Sequence, residues 1–125
     1  MKKQIVSIVF LIILLLSACT NDVTGIEKIK YSQPNNEIVF TEKSTIKEIS
    51  DIMKSAEKSN EIVDVGVPDE KLYYYFDTDK VEIFDLYLDY NTNKGFIVNE
   101  EDSNFVLKLS EQSIKDLGDI LSAKD

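Results

Sequence analysis

The sequence predicts an α+β fold in which an antiparallel sheet of about five or six strands carries two helices packed on one face. Three observations predict it. Short segments in which apolar and polar residues alternate follow one another in runs, and tight turns join them. Two longer segments carry apolar residues at helical spacing. The expected order of elements is β-β-α-β-β-β-β-α.

The first two strands form a predicted hairpin. Residues 26–32 alternate in polarity, and residues 37–40 form a short apolar strand. The intervening Gln33-Pro34-Asn35-Asn36 has the composition of a turn.

Residues 45–58 are predicted to form the first helix. Thr45 and Glu48 match a capping box at its start. One stripe holds its apolar residues, which are Ile46, Ile49, Ile52, Met53 and Ala56. The polar face mixes both signs of charge, which favours packing on a sheet over lying on a membrane surface.

Four more strands are predicted after a loop at residues 60–69. They span residues 72–76, 81–90, 96–98 and 104–109. Ser110 is a good N-cap for the second helix, in which Gly118 is a weak point. The apolar stripe of this helix is Ile114, Leu117, Ile120 and Leu121.

Composition excludes several kinds of chemistry. The chain has 14 basic residues, all of them lysine, against 23 acidic ones, for a net charge of -9. It has no histidine and a single cysteine, so we expect neither imidazole-based catalysis, nor a zinc site, nor a disulfide framework. Nucleic acid is not an expected partner of so acidic a chain. We expect no metal and no cofactor.

The N-terminal residues carry the most specific signal. Lys2 and Lys3 precede an apolar run of about 12 residues, too short to span a membrane, as in a signal peptide. The run ends in Leu16-Ser17-Ala18-Cys19, which looks like a bacterial lipobox. By that resemblance, residues 1–18 are a lipoprotein signal peptide that is removed, and Cys19 is lipidated. Two acyl chains on one cysteine are enough for stable anchoring.

This placement divides the chain into three parts. Residues 1–18 are the signal peptide, residues 19–25 the lipidated cysteine with a short tether, and residues 26–125 a single extracytoplasmic domain. The expected location is the outer face of the cytoplasmic membrane. Removal of residues 1–18 takes away two lysines and no acid, so the mature chain is still more acidic. Because such a surface is repelled by anionic headgroups, the lipid is expected to hold a domain that stands off the membrane.

Two acidic patterns are candidates for a metal site and for a catalytic site. Asp89, Asn91, Asn93 and Glu100 fall at positions of a calcium-binding loop, but Lys94 occupies the position that needs glycine. A polar hairpin turn explains the same residues. Asp85 and Asp89 are a candidate carboxylate pair of a hydrolase, but they lie four residues apart on one strand, about 13 Å, which is too far for a paired acid and base.

An aromatic face is the best candidate binding surface. Alternation places Leu72, Tyr74 and Phe76 on one side of their strand, and Tyr73 and Tyr75 on the other. In the next strand Phe84, Leu86 and Leu88 point inward. If the two strands are neighbours, one open sheet face carries Tyr73, Tyr75, Asp85, Tyr87 and Asp89. Such a face, with its tyrosine rings among carboxylates, suits a peptide, a basic patch of a protein or a sugar, and the alternative is cross-strand pairing that only stabilises the sheet.

The chain resembles small lipoproteins of Gram-positive bacteria that have a YhfM-like domain. The resemblance lies in the lipobox, the Ile46/Ile49/Ile52 helix, Val63-Asp64 ahead of Pro68-Asp69, the strand Phe84-Asp85-Leu86-Tyr87-Leu88, and Leu109-Ser110-Glu111 leading into a helix. It implies an anchored extracellular domain and no particular activity.

The function expected from these features is that of a membrane-anchored, non-enzymatic binding or protein-interaction module. Its partners would be the membrane, through the lipid on Cys19, and a protein, a peptide or a cell-wall sugar. The alternatives are an inhibitor or sensor accessory of a secreted or membrane enzyme and, with less support, a carboxylate-based hydrolase.

Overall fold

The computed structural model describes residues 25–60 and 66–122. The signal-peptide segment, the lipobox with Cys19, residues 20–24 of the tether, and Val63 with Asp64 lie outside the described residues.

A single antiparallel sheet of seven strands forms the body of the described chain. Along the sheet the strands lie in the order β2-β1-β4-β5-β6-β7-β3. Of the six contacts between neighbouring strands, four are hairpins, and the long connection runs from the edge strand β3 to the interior strand β4. The strands are β1 (Ile26–Gln33), β2 (Asn36–Phe40), β3 (Glu57–Ser59), β4 (Glu70–Phe76), β5 (Val81–Asp89), β6 (Lys94–Asn99) and β7 (Asp102–Lys108).

Both helices pack on one face of this sheet, which confirms the predicted α+β class. They are α1 (Lys43–Lys54) and α2 (Glu111–Ser122). The core lies between the helices and the sheet. Its buried helix residues are Ile46, Ile49, Met53, Ile114, Leu117 and Leu121, and its buried strand residues are Ile29, Tyr31, Ile38, Phe40, Leu72, Tyr74, Phe84, Leu86 and Ile97.

The first helix is shorter at its C-terminal end than the sequence predicts. It ends at Lys54, where the Ser55 hydroxyl donates a hydrogen bond to the Ile52 carbonyl oxygen at 2.6 Å. The last two residues of the predicted helix, Glu57 and Lys58, instead form β3 together with Ser59 along the edge of β7. Pairing with an open strand edge outweighs helix propensity here, and it accounts for the seventh strand.

The predicted capping box of this helix was wrong. The helix begins at Lys43, after Glu42, and no side chain caps its N-terminus. Thr45 therefore lies inside the first turn, and the Ile46 amide donates to the Glu42 carbonyl oxygen at 3.0 Å. By contrast, the predicted N-cap of α2 is confirmed, because the Ser113 amide donates to the Ser110 hydroxyl oxygen at 3.1 Å.

The β5–β6 hairpin requires a glycine at position 95. Gly95 has φ +145° and lies opposite Leu88, and a Cβ atom there would overlap the carbonyl oxygen of Tyr87. The same hairpin places Phe96 directly opposite Tyr87. Its turn is of the polar kind expected from the sequence, because the Asp89 carboxylate accepts a hydrogen bond from the Asn91 amide at 2.9 Å.

Candidate functional site: the helix-free face of the sheet

The sheet face opposite the helices, called here the helix-free face, carries the five side chains that the sequence singled out. Alternation along β4 and β5 turns Leu72, Tyr74, Phe84 and Leu86 into the core. The residues between them, Tyr73, Tyr75, Asp85, Tyr87 and Asp89, therefore project from the other side. The two strands are antiparallel neighbours, as the candidate site requires, with Tyr73 opposite Ile83. That this face binds a ligand stays a prediction.

Tyr73 and Tyr75 form a stacked pair. Their ring centroids lie 6.3 Å apart, with 19° between the ring planes. The neighbouring strand β1 covers them with two lysines, because Lys30 pairs with Tyr73 and Lys28 with Tyr75. The Lys30 ammonium lies 4.3 Å from the centroid of Tyr73, and that of Lys28 lies 4.8 Å from the centroid of Tyr75. Each contact has the geometry of a cation–π interaction.

Tyr87 belongs to a separate aromatic group. Its ring stacks on Phe96 of β6, with centroids 5.0 Å apart and 21° between planes. Its hydroxyl donates a hydrogen bond to the Gly66 carbonyl oxygen at 3.0 Å. Gly66 is the first described residue after the gap in the β3–β4 connection, so this bond ties the end of that connection to the helix-free face.

An ionic cluster lies between the two aromatic groups. Lys71 pairs with Asp85 across β4 and β5, and its ammonium lies 3.6 Å from the Asp85 carboxylate and 2.9 Å from that of Glu100. Tyr73 and Tyr87 lie on opposite sides of this cluster. Tyr73 is opposite Ile83, and Tyr87 lies four residues beyond Ile83 on β5. The two tyrosines are therefore about 13 Å apart along the strand direction. The five predicted residues are thus on one face, but they do not form one cluster.

The pKa values of the two carboxylates in the cluster shift in opposite directions. Burial, together with the hydrogen bond to Glu100, raises the pKa of Asp85 to about 6 against the opposing effect of Lys71. The pKa of Glu100 is lowered, first by the hydrogen bond from Asp85 and then by Lys71. A proton shared by the pair therefore resides mainly on Asp85. The carboxylate that Asp85 contacts is Glu100, and not the Asp89 weighed in the hydrolase hypothesis.

A cavity of about 440 Å³ adjoins Tyr87 where β4 begins and β5 extends past it, paired there with β6 alone. Val67, which is 91% exposed, lies at this cavity together with Asp89 and Lys94. Tyr87 and Asp89 are therefore the two predicted site residues that line a concave surface, whereas Tyr73 and Tyr75 lie on an open part of the sheet.

A second cavity, of about 300 Å³, lies on the helix side between α2 and the end of the sheet. Tyr90 and Gly118 line it, and a Cβ atom at Gly118 would approach a ring carbon of Tyr90 to 2.8 Å. Gly118 is thus present because the Tyr90 ring occupies the space of a side chain. Burial raises the pKa of Tyr90, whose hydroxyl makes no hydrogen bond to the described protein atoms.

The lysines of the helix-free face are not predicted by the sequence patterns. Those patterns indicate tyrosines among carboxylates, whereas Lys28, Lys30 and Lys71 lie against the rings or next to them. A signal for two of them was present, because Ile29 and Tyr31 are the apolar residues of β1 and the lysines alternate with them. Nothing local indicated Glu100 or Phe96, since both reach the face only through strand pairing.

Within residues 25–60 and 66–122, no helix has the length and apolar character needed to cross a membrane. The acidic residues of that same part of the chain do not assemble into a group of three or more that could hold a metal ion.

Comparison with known proteins gives one match. The family model described as YhfM protein matches residues 20–125, which is most of the chain. The chain matches no curated protein and no solved structure.

Proposed function

The chain belongs to the YhfM protein family, and on that premise we propose that it is an extracytoplasmic lipoprotein that acts as a non-enzymatic binding or protein-interaction module. The lipobox Leu16-Ser17-Ala18-Cys19 supports the anchoring part of the proposal. In this account residues 1–18 are removed, a diacylglycerol on Cys19 holds the protein at the outer face of the cytoplasmic membrane, and residues 26–125 form the displayed domain.

The observation that supports the binding part is that the two faces of the sheet carry different kinds of side chain. The helices bury the apolar side chains of one face, whereas the other face presents aromatic rings and charged groups. Tyrosine rings beside charged groups are typical of surfaces that recognise other macromolecules. The Tyr87 end of this face is the better contact site, because it combines a stacked ring pair, a concave surface and the exposed Val67.

The geometry favours a binding role over hydrolysis. Asp85 and Glu100 contact each other and the Lys71 ammonium, so both carboxylates are engaged within the cluster, although Asp85 Oδ1 makes no hydrogen bond to the described atoms. Asp89 is occupied in its own turn with Asn91. A hydrolase of the kind weighed from the sequence needs two carboxylates that face a shared substrate space, and these contacts do not provide one.

Site-specific photo-crosslinking in intact cells tests the binding role. A photo-reactive amino acid replaces Val67, and a matched control replaces Glu48, which is exposed on α1. We expect a discrete crosslinked product from position 67 and none from position 48. The product should disappear in a Tyr87→Ala background, while a Tyr73→Ala background keeps it. Equal products from both positions, or a product unaffected by Tyr87→Ala, would remove the Tyr87 end as the contact site.

A further inference from the structure

The point at which the chain enters the sheet fixes which end of the domain is held near the lipid. The Gly25 carbonyl oxygen accepts a hydrogen bond from the Asp77 amide at 2.8 Å, so the start of β1 lies against the β4–β5 turn. Cys19 precedes Gly25 by six positions, and such a segment reaches about 20 Å when fully extended. If Cys19 carries the lipid, the β4–β5 turn cannot lie farther than this from the bilayer surface.

The part of the helix-free face next to this turn combines tyrosine, lysine and aliphatic side chains, as protein surfaces at a membrane interface do. One row across the strands holds Val39, Lys30, Tyr73 and Ile83, and the next holds Lys28, Tyr75 and Val81. These seven residues are named here the proximal patch. Two of them, Val39 and Val81, are large apolar side chains that are 44% and 38% exposed.

The chemistry of the patch fits lipid headgroups. Tyrosine rings, with an apolar body and a polar tip, are enriched at the level of the headgroups in membrane proteins. Lysine side chains lie along apolar surface and extend their ammonium groups toward phosphate. Lys28 and Lys30 are on the same side of the sheet as both rings, so rings and charges meet a flat surface together. The Glu37 carboxylate of β2 lies 3.9 Å from the Lys30 ammonium of β1 and offsets part of its positive charge.

We propose that the proximal patch rests on the surface of an anionic phospholipid bilayer when the protein is anchored through Cys19. The inference rests on the proposed function and departs from the expectation that the acidic domain stands off the membrane. Without the lipid on Cys19, the mature chain, which is more acidic than the full sequence with its charge of -9, would be repelled from such a surface. Because the tether holds the domain next to the bilayer, the effective concentration of lipid at the patch is high, and a contact that is weak in solution can form. The domain then lies with its helix-free face toward the membrane at the β4–β5 end, and the Tyr87 end, at the other end of the same strands, remains open to a partner.

The test measures how deeply single sites sit in the bilayer. The full mature chain, acylated in cells and purified, is reconstituted into vesicles of phosphatidylglycerol and phosphatidylethanolamine. Because the sequence has one cysteine and the lipid occupies it, an introduced cysteine provides a unique site for a nitroxide label. Val39→Cys and Val81→Cys report on the patch. Asn35→Cys and Thr92→Cys, exposed in the turns at the opposite end, are the matched controls.

We expect the labels at positions 39 and 81 to lose accessibility to a water-soluble nickel relaxant and to gain accessibility to oxygen, while those at positions 35 and 92 remain fully accessible to nickel. Lys28→Glu combined with Lys30→Glu should restore the nickel accessibility of the patch labels. Lys54→Glu combined with Lys115→Glu, on exposed positions of the helices, should not.

The outcomes separate the inference from the proposed function. If the protein floats with the vesicles but all four labels are equally accessible to nickel, the protein is anchored and its patch does not contact the bilayer. That result overturns the inference and leaves the proposed function intact. A protein that does not float contradicts anchoring itself. Shielding of the patch labels that persists in detergent micelles indicates a protein contact, such as a second copy, and also overturns the inference.

Discussion

The ammonium group of Lys30 lies 4.3 Å from the ring centroid of Tyr73, on the sheet face that carries no helix. The two residues are opposite each other in the β1–β4 ladder, and the hydrogen bond of Lys30 to Tyr75 is the main cause of its raised pKa. Both tyrosine rings of the pair are thus held in place by the neighbouring strand. Cross-strand contacts of this kind fix the orientation of the proximal patch before any ligand or membrane is present.

Removing the Lys30 charge should weaken the sheet modestly. Lys30→Met keeps the aliphatic stem and loses the cation–π contact, which at an exposed site is worth about 0.5–1 kcal/mol. Tyr73→Phe keeps the ring, and we expect it to have almost no effect on the free energy of unfolding. Urea denaturation of both variants checks this, and a larger loss for Tyr73→Phe than for Lys30→Met would contradict the importance of the ring–ammonium contact.

Tyr87→Phe should loosen the β3–β4 connection without disturbing the sheet. The variant keeps the ring that stacks on Phe96 but loses the hydrogen bond to the Gly66 carbonyl oxygen. We expect a loss of about 1 kcal/mol in the free energy of unfolding. Amide hydrogen exchange should accelerate at Gly66, Val67 and Asp69 while the β5 and β6 amides keep their protection. Unchanged exchange at these amides would show that the bond does not hold the connection.

Asp85→Asn should stabilise the protein at neutral pH and not at acidic pH. The folded state raises the pKa of Asp85 to about 6, mainly by burial, so it favours the neutral form. The stabilising contribution of that proton is complete below pH of about 4 and is lost as the pH rises through about 6. Asparagine cannot ionise and avoids this loss.

The free energy of unfolding of Asp85→Asn minus that of the native chain should therefore increase between about pH 4 and pH 6. We expect an increase of about 1 kcal/mol, because the lowered pKa of Glu100 acts in the opposite direction. Urea titrations at several pH values measure it, with Asp69→Asn as the control at an exposed carboxylate. A difference that stays constant or decreases with pH would contradict the assigned protonation.

Gly118→Ala should destabilise the protein although alanine is the better helix former. The added Cβ would lie 2.8 Å from a ring carbon of Tyr90, and the resulting overpacking costs about 1–3 kcal/mol. This exceeds the gain in helix propensity of about 1 kcal/mol. Thermal unfolding measures the loss. In a Tyr90→Leu background the same substitution should become neutral or stabilising, and a loss of equal size in both backgrounds would exclude the Tyr90 contact as its cause.

Local patterns of the sequence predicted most of the fold. The alternation in β1, β4 and β5 and the stripes of both helices identified which side chains are buried, because one face of each element must leave water. Features that depend on pairing between distant segments were not predictable. The chain at Glu57–Ser59 has helical propensity and becomes a strand only because the edge of β7 is available.

The candidate site likewise combines features that local patterns predict with features that depend on strand pairing. Which side of the sheet Tyr73, Tyr75 and Tyr87 face follows from period-two alternation alone. Their separation by the Lys71–Asp85–Glu100 cluster depends on the register of three strands and on the β6–β7 turn that supplies Glu100. No feature within the segment around Asp85 encodes that register.

Mass spectrometry of the N-terminal peptide of the protein purified from cell membranes tests the account most directly. We predict a chain that begins at Cys19 and carries a diacylglycerol on the cysteine sulfur. A chain that retains residues 1–18, or one that begins at Cys19 with a free thiol, would contradict the anchoring and with it the membrane orientation inferred for the domain.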